Sequence, residues 1–307
     1  MNTLSGKDIL RADQFTKPEI EQVLEVASEY ERALTAGEAL AALRGRVLAA
    51  LFFEPSTRTR LSFETAMLRL GGQVISVAEA KSSSAAKGES LVDTIRTVDG
   101  YADVIVLRHP QIGTAEEAAQ AARAPVLNAG DGAGQHPTQS LLDLFTIRRE
   151  QGRIDGLKVA MVGDLKNGRT VHSLAALLSN YGVSLLFVAP PALRMPTAIL
   201  ERLREKGVPV AETGDLAEAV RTSDILYMTR IQRERFEDPA EYERLKGAYV
   251  LDRAALRAAK PSITILHPLP RVQEIALDVD DHPGAAYFRQ SANGVPIRMA
   301  LLSLVLG

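Results

Sequence analysis

The chain has 307 residues, a formal net charge of −2, and 46% hydrophobic residues. This length exceeds what one hydrophobic core needs, so we expect two domains. The near-zero charge argues against nucleic acid or an anionic membrane as a main partner. The chain has no cysteine, which excludes disulfides and thiolate metal sites. No apolar run reaches the roughly 20 residues of a membrane span and no secretory pattern is visible, so we expect a cytoplasmic protein.

The first predicted element is an amphipathic helix. Pro18 suits its first turn, and Ile20, Val23, Leu24 and Ala27 mark its buried face.

A strand-to-helix turn rich in hydroxyl and guanidinium groups comes next. Residues 46–53 are an apolar run typical of a buried strand, and residues 63–70 repeat apolar side chains at helical spacing. The turn between them reads Glu54-Pro55-Ser56-Thr57-Arg58-Thr59-Arg60. Free backbone N–H groups and the helix dipole favour an anion there, and hydroxyls with a bidentate arginine match a phosphate. Helix capping with surface arginines is the alternative, but five such residues in seven favour the anion site.

Further strands in the first half end in polar residues. We expect a strand at 74–77, a polar loop at 81–89 and a helix at 89–100. A strand at 103–107 leads to Arg108, and one at 125–127 leads to a polar segment at 128–139 that precedes a helix. Strands alternating with helices predict a parallel sheet whose ligands lie beyond the carboxyl ends of the strands. The polar clusters at 56–60, 108 and 136–139 should therefore converge.

The second half repeats this alternation after a polar, glycine-containing hinge at 151–156. We expect strands at 158–162, 184–188, 224–228 and 262–266, and helices at 171–180, 198–205, 216–221 and 241–246. Residues 295–306 are apolar nearly all round and predict a buried helix. The fold class is therefore α/β, with two doubly wound parallel-sheet domains.

The turn at 163–170 has the spacing of a nucleotide phosphate loop, but Arg169 stands where that loop needs Lys, and Asp164 would oppose a phosphate. A dinucleotide fingerprint is also disfavoured, because G-x-G-x-x-G is missing and the next strand ends without an acid for a ribose. A cation in the first turn of a helix opposes the dipole, so we interpret Arg169 as a ligand for a substrate carboxylate.

The segment Phe53-Glu54-Pro55-Ser56-Thr57-Arg58-Thr59-Arg60, followed by Ser62-Phe63-Glu64, resembles the carbamoyl-phosphate motif of the aspartate and ornithine carbamoyltransferases. The resemblance extends over nearly the whole chain, to Asn293-Gly294 and the last helix. It implies a carbamoyl-phosphate-binding domain at 1–150, completed by the C-terminal helix at 290–307, and an aspartate-binding domain at 151–289. It also implies an interdomain active-site cleft and packing of the C-terminal helix on the first domain.

Two later motifs favour the aspartate branch of this family. The segments 227–235 and 267–271 resemble it, whereas the ornithine enzymes carry a Cys in the second motif and this chain has none. Aspartate brings two carboxylates and needs cationic anchors, for which Arg169, Arg230 and Lys87 are candidates, whereas the amine of ornithine would need acids. The implied reaction forms N-carbamoyl-L-aspartate and phosphate, a step of pyrimidine biosynthesis. An ornithine-type or other carbamoyltransferase and a non-catalytic phosphometabolite-binding protein remain the alternatives.

The resemblance also implies a role for each site residue. The phosphate would be held by Ser56, Thr57, Arg58 and Thr59. The carbonyl oxygen would accept hydrogen bonds from Thr59, Arg108 and His136. The carbamoyl NH2 would be oriented by Gln139 and by the backbone carbonyls of Pro268 and Leu269. Aspartate would be bound by Arg169, Arg230 and Gln232.

The family shares active sites between the chains of a homotrimer. Ser83 and Lys87 match the residues that reach into the site of the adjacent chain; Ser83 is selected by spacing among three consecutive serines. Ala86 stands where the family often has a second Lys. We expect no cofactor and no metal. A regulatory chain or a dihydroorotase is a candidate partner.

Overall fold

The computed structural model describes residues 2–78, 87–233, 236 and 238–307. The chain divides into two compact units. The first comprises Met1–Leu141 with Asn293–Gly307, and the second comprises Leu142–Ala292.

Strands and helices alternate along most of the chain. The strands are β1 (Val47–Phe52), β2 (Gln73–Val77), β3 (Val104–His109), β4 (Val126–Asp131), β5 (Lys158–Val162), β6 (Ser184–Val188), β7 (Val210–Thr213), β8 (Ile225–Met228) and β9 (Thr264–Leu266). The helices are α1 (Lys17–Thr35), α2 (Thr57–Arg69), α3 (Leu91–Asp99), α4 (Thr114–Ala121), α5 (Pro137–Gln151), α6 (Arg169–Leu178), α7 (Thr197–Glu205), α8 (Leu216–Thr222), α9 (Pro239–Leu245), α10 (Tyr287–Ala292) and α11 (Gly294–Leu306).

The sheet of the first unit is parallel, with strand order β2-β1-β3-β4. From β1 the chain builds outward to β2 on one side and then to β3 and β4 on the other. The strand order therefore reverses between β1 and β3, where Phe52 pairs with Arg108. In open α/β sheets such a reversal opens a crevice beyond the carboxyl ends of the strands, which is where ligands bind.

The sheet of the second unit follows the same rule with five parallel strands, in the order β7-β6-β5-β8-β9. Here the order reverses between β5 and β8, where Val162 pairs with Met228. Both units thus confirm the predicted doubly wound architecture, and each has one switch point.

The C-terminal helix explains why the first unit includes the last residues of the chain. α11 is buried along almost its whole length and packs against α1 and α2. This confirms the expected packing of the last helix on the first domain. Because apolar side chains cover α11 nearly all round, it needs neighbours on several sides.

Several boundaries differ from the sequence expectations. The predicted ends of β3 at 107 and of β4 at 127 are wrong, because the two strands continue together and His109 pairs with Asp131. α6 begins at Arg169 and not at 171. The sequence reading also missed α4, β7 and α10. β7 has partly exposed and exposed residues only, so it lacks the apolar signal of a buried strand.

Within the described residues, none of the helices combines the length and apolar character that crossing a membrane requires.

Candidate active site

The first element of the candidate site is the turn between β1 and α2. Ser56 precedes the helix with an extended backbone and makes no side-chain capping bond to it. Its hydroxyl is therefore not used in capping α2. The first turn of α2 contains no acidic residue, so the positive end of its dipole is not neutralised there. Thr57 and Arg58 are exposed, whereas Thr59 is buried.

Arg108 lies beside this turn on the neighbouring strand. The backbone N–H of Phe53 donates to the carbonyl oxygen of Arg108 at 2.8 Å, which ties the turn to β3. The Arg108 side chain is buried: its Nη1 donates to the carbonyl oxygen of Ala129 at 3.1 Å, and its Nη2 lies 2.8 Å from Oε2 of Glu54. A buried guanidinium with a carboxylate on one side and a backbone carbonyl on the other has a fixed orientation.

A third cluster follows β4, at the start of α5. His136 and Gln139 are 4% and 9% exposed, respectively. The carboxylate of Asp131 organises the loop before them, because it accepts from the backbone N–H of Gln135 at 2.7 Å and from that of Gly113 at 3.0 Å. The predicted clusters at 56–60, 108 and 136–139 therefore lie at the carboxyl ends of three neighbouring strands.

Sequence reasoning missed a residue behind these clusters. Arg298 on α11 is 2% exposed, and its guanidinium lies 4.9 Å from the ring centroid of Phe63 on α2. Its Nη2 donates to Oγ1 of Thr138 on α5 at 3.3 Å, and its Nη1 to the carbonyl oxygen of Gly294 at 3.1 Å. Arg298 thus joins the helix of the hydroxyl-rich turn to the helix that follows His136. A lone Arg inside an otherwise apolar helix was the available signal.

In the second unit, Arg169 and Arg230 lie on either side of the switch point. Arg169 is the first residue of α6, after β5, and Arg230 follows β8; both are partly exposed. Gly163 lets the two loops approach closely. It adopts φ +121°, and a Cβ there would lie 2.2 Å from the carbonyl oxygen of Thr229.

Asp164 organises the same two loops. Its buried carboxylate accepts from the backbone N–H of Asn167 at 3.0 Å and from that of Gln232. Burial raises the pKa of the Asp164 carboxyl, although these hydrogen bonds oppose the shift. The side chain of Gln232 in turn reaches the carbonyl oxygen of Asn167 at 3.5 Å. The position of Gln232 is thereby coupled to the loop that leads to Arg169.

Pro268 and Leu269 follow β9, the neighbour of β8. His267 before them is 1% exposed, and burial lowers its pKa, as do the positive charges of Arg230 and Arg271. Arg230 is therefore within electrostatic reach of this turn.

The loop expected to act in the adjacent chain is described only at its end. Ser83 lies outside the described residues. Lys87 is exposed at the start of the next described segment. In the described ranges, no group of three or more His, Asp or Glu side chains is arranged to hold a metal ion.

Comparison with known families decides the classification. The profile described as "Aspartate/ornithine carbamoyltransferase, carbamoyl-P binding domain" matches residues 7–149. The profile described as "Aspartate/ornithine carbamoyltransferase, Asp/Orn binding domain" matches residues 155–305. The chain belongs to the aspartate/ornithine carbamoyltransferase family.

Similar members of this family carry the aspartate name. The chain is 58% identical over 302 residues to the aspartate carbamoyltransferase catalytic subunit of Thermococcus onnurineus, covering 98% of this chain and 97% of that protein. It is 56% identical to the corresponding subunit of Thermococcus gammatolerans, over 99% of this chain and 98% of that one. A crystal structure of aspartate transcarbamoylase from Trypanosoma cruzi in complex with carbamoyl phosphate and aspartate superimposes with a TM-score of 0.96 at 47% identity, covering 100% of this chain and 98% of that one.

Proposed function

We propose that the protein is an enzyme that transfers the carbamoyl group of carbamoyl phosphate to the amino group of L-aspartate, with N-carbamoyl-L-aspartate and phosphate as products. The observation that carries the proposal is that each unit has cationic side chains at the point where the strand order of its sheet reverses. One unit presents hydroxyls and arginines around an unneutralised helix N-terminus. The other presents Arg169 and Arg230 on adjacent strand ends, which suits the two carboxylates of aspartate.

The proposed phosphate site is the turn at the start of α2. The Ser56, Thr57 and Thr59 hydroxyls and the Arg58 fork would donate to phosphate oxygens, together with backbone N–H groups of the first helical turn. Arg58 matters here by its shape, because a planar guanidinium forms two parallel hydrogen bonds and an ammonium does not.

Stabilisation of the developing charge is assigned to Thr59, Arg108 and His136, each less than 10% exposed. When the amine attacks, negative charge grows on the carbonyl oxygen. Donors held in a buried site are effective there because little reorganisation is needed, and removing one typically lowers the rate about 10²- to 10³-fold. The Glu54 carboxylate and the Ala129 carbonyl fix the Arg108 guanidinium in advance.

The bond changes balance without a cofactor. The aspartate nitrogen forms a bond to the carbamoyl carbon, and the bond from that carbon to the phosphate oxygen breaks. The departing phosphate takes the proton released by the amine. Gln139 and the carbonyls of Pro268 and Leu269 are proposed to orient the carbamoyl NH2, and Gln232 to assist Arg169 and Arg230 with aspartate.

We further propose a homotrimer in which Ser83 and Lys87 complete the site of the adjacent chain. An apolar surface next to the phosphate turn supports a contact with a second copy. Leu61 and Leu68 of α2 are 49% and 60% exposed, and Ile75 on the edge strand β2 is 41% exposed. Leu61 and Leu68 are seven residues apart and so lie on one face of α2. Both Thermococcus relatives are named as catalytic subunits, which supports a further partner chain such as a regulatory chain or a dihydroorotase. Both substrates are charged, water-soluble metabolites, in keeping with a cytoplasmic enzyme.

A direct assay tests the proposed reaction. The purified protein is incubated with carbamoyl phosphate and either L-aspartate or L-ornithine, and the carbamoylated product is measured by mass spectrometry. We expect N-carbamoyl-L-aspartate and at most a trace of citrulline. Preferential citrulline formation would assign the ornithine branch. Tight carbamoyl-phosphate binding without turnover of either amine would indicate a binding protein.

A further inference from the structure

A buried polar network lies behind Pro268 and Leu269, and its centre is His267. Nδ1 of His267 accepts from the backbone N–H of Leu269 at 2.8 Å. Nε2 of the same ring lies 2.7 Å from Oε1 of Glu274. The His267 side chain is 1% exposed and that of Glu274 is 8% exposed, so water does not compete for these hydrogen bonds.

The two partners determine which ring nitrogen carries the proton. A backbone N–H can only donate, so Nδ1 of His267 must be an unprotonated acceptor. The proton of the neutral ring is then on Nε2 and points at Glu274. A ring with an unprotonated Nδ1 is neutral. Burial lowers the pKa of His267, although the hydrogen bond and charge of Glu274 oppose the shift.

Glu274 is held as an acceptor. Burial alone would raise the pKa of its carboxyl, but hydrogen bonds from His267 and from the backbone lower it. The backbone N–H groups of Val272 and Gln273 donate to its carboxylate at 3.2 and 3.0 Å. Residues 267–274 therefore form a turn whose two ends are joined by the pair of His267 and Glu274.

The turn is also fastened at its start. The backbone N–H of His267 donates to Oε1 of Gln290 at 2.8 Å, and Nε2 of Gln290 donates to Oδ1 of Asp143 at 2.6 Å. The other oxygen of Asp143 accepts from the hydroxyl of Tyr227 at 2.8 Å. A chain of hydrogen bonds through α10, α5 and β8 thus holds the backbone of His267, and Glu274 holds its ring.

These hydrogen bonds surround a residue with an unusual backbone conformation. Leu269 has φ +52°, and among the described residues it alone combines a side chain with a positive φ. Such a conformation is disfavoured for a branched side chain and persists only where neighbouring contacts impose it. The hydrogen bond from the Leu269 N–H to His267 is such a contact. Because this N–H and the Pro268 carbonyl lie in one peptide plane, the bond fixes the direction of the Pro268 carbonyl. The Leu269 conformation that it helps to hold sets the direction of the Leu269 carbonyl.

We propose that His267, held in one tautomer by Glu274, is a positioning residue that fixes the Pro268 and Leu269 carbonyls and thereby makes the site select a carbamoyl group over an acetyl group. The inference rests on the proposed function, in which these carbonyls accept from the carbamoyl NH2. Acetyl phosphate has nearly the same shape but carries a methyl group in place of the NH2. With acetyl phosphate bound, the two fixed carbonyl oxygens would lose contact with water and face a methyl group that cannot donate a hydrogen bond. The free-energy cost of leaving both acceptors unsatisfied would make the site reject acetyl phosphate.

The test compares the two phosphates on variants of the whole protein. His267→Leu removes both ring hydrogen bonds. His267→Asn keeps an acceptor close to the position of Nδ1 and loses the bond to Glu274. Glu274→Gln keeps the shape but lets an amide donate to Nε2, so the tautomer is no longer imposed. Leu186→Ala is the control for general loosening, because it shortens a buried side chain on β6, which β5 and β8 separate from β9, the strand before the turn.

Dissociation constants of carbamoyl phosphate and acetyl phosphate are measured by calorimetry, and kcat with aspartate is measured in parallel. We expect His267→Leu to weaken carbamoyl-phosphate binding about tenfold or more, while acetyl-phosphate binding changes less than about twofold. His267→Asn should keep most of the wild-type preference for carbamoyl phosphate over acetyl phosphate. The preference of Glu274→Gln should lie between those of His267→Asn and His267→Leu. Leu186→Ala should leave the ratio of the two dissociation constants unchanged.

The inference would be overturned if the ratio of the acetyl-phosphate to the carbamoyl-phosphate dissociation constant kept its wild-type value in all His267 and Glu274 variants. Equal losses of affinity for both phosphates would give this result. If His267→Leu does not fold, the ratios of His267→Asn and Glu274→Gln decide by the same criterion. A wild-type protein without carbamoyl transfer would instead refute the proposed function, so the two failures are distinguishable.

Discussion

The two units place their anchors at equivalent points of their sheets, yet bury them to different degrees. In the first unit, Thr59, Arg108, His136 and Gln139 are all less than 10% exposed. In the second unit, Arg169 and Arg230 are only partly buried, although Asp164 between their loops is fully buried. The first unit therefore buries the donors assigned to the carbamoyl group, although Thr57 and Arg58 of its phosphate turn are exposed. The second unit fixes the loops and leaves the charged side chains in contact with solvent.

This difference matches the two tasks in the proposed reaction. Charge develops on the carbamoyl group, where fixed and buried donors have the greatest effect on rate. Aspartate keeps its two carboxylates throughout, so its anchors contribute affinity and selectivity more than rate acceleration. Because Arg169 and Arg230 are partly exposed, they stay in contact with water before aspartate binds. This avoids the free-energy cost of removing two positive charges from water.

The largest expected effect comes from changing the shape of one cation in the first unit. Arg58→Lys keeps the charge but loses the bidentate fork, so we expect kcat to fall at least about 10²-fold. Arg60→Lys is the matched control, because Arg60 lies in the same turn and its Nε is 3.8 Å from Glu64 on the surface of α2. Steady-state kinetics of both variants give the comparison. Activity of Arg58→Lys within about threefold of wild type would remove Arg58 from the site.

A second experiment tests whether Lys87 of an adjacent chain completes the active site that contains Arg58. Arg58→Ala and Lys87→Ala proteins should each be nearly inactive, and should gain activity when dissociated and reassembled together. If each site takes Arg58 from one chain and Lys87 from its neighbour, every mixed trimer contains one site in which both are intact. Native mass spectrometry confirms that hybrids form. Hybrids no more active than their parents would refute the shared site.

A third prediction concerns the support behind the first-unit anchors. Arg298→Met removes a buried guanidinium with two hydrogen bonds and a contact with Phe63, so we expect a loss of about 2 kcal/mol in the free energy of unfolding. The control is Arg289→Met, which breaks the pair with Glu150 at 2.8 Å, where the arginine is 52% exposed. Such an exposed pair contributes about 1 kcal/mol at most. Urea denaturation of the two variants would contradict the account if the two losses were equal.

The smallest expected effect is a pH dependence of stability in the second unit. Burial lowers the pKa of His172, whose Nε2 lies 2.7 Å from the carbonyl oxygen of Leu165. The unfolded chain therefore binds a proton below about pH 6.5 before the folded chain does, so His172 costs stability as the pH falls below that value. His172→Gln keeps a donor and cannot titrate. Thermal unfolding at pH 7.5 and 5.5 should show a smaller decrease for this variant than for wild type; an identical decrease would show that His172 does not contribute.

Sequence patterns predicted most strands, most helices and the position of each polar cluster, because each cluster lies in a strand-to-helix connection with strong local signals. They did not predict that β3 and β4 continue to His109 and Asp131. That extension depends on pairing between the two strands, which is a long-range property.

The supporting residues were harder to predict than the proposed ligands. Arg298 contacts residues more than 150 positions away, and Asp143 contacts Gln290 across a similar separation. Such contacts leave no local periodicity. A single polar residue in an apolar segment is the only trace, and sequence alone does not show what it contacts.

The central claim is the division of labour between the two units, and Arg230→Ala tests it most directly. Calorimetry would measure the binding of carbamoyl phosphate, and then the binding of succinate, which has the two carboxylates of aspartate but no amine, to the carbamoyl-phosphate complex. We predict that carbamoyl-phosphate affinity stays within about twofold of wild type and that succinate affinity falls about tenfold or more. Equal losses for both ligands would contradict the assignment of one substrate to each unit.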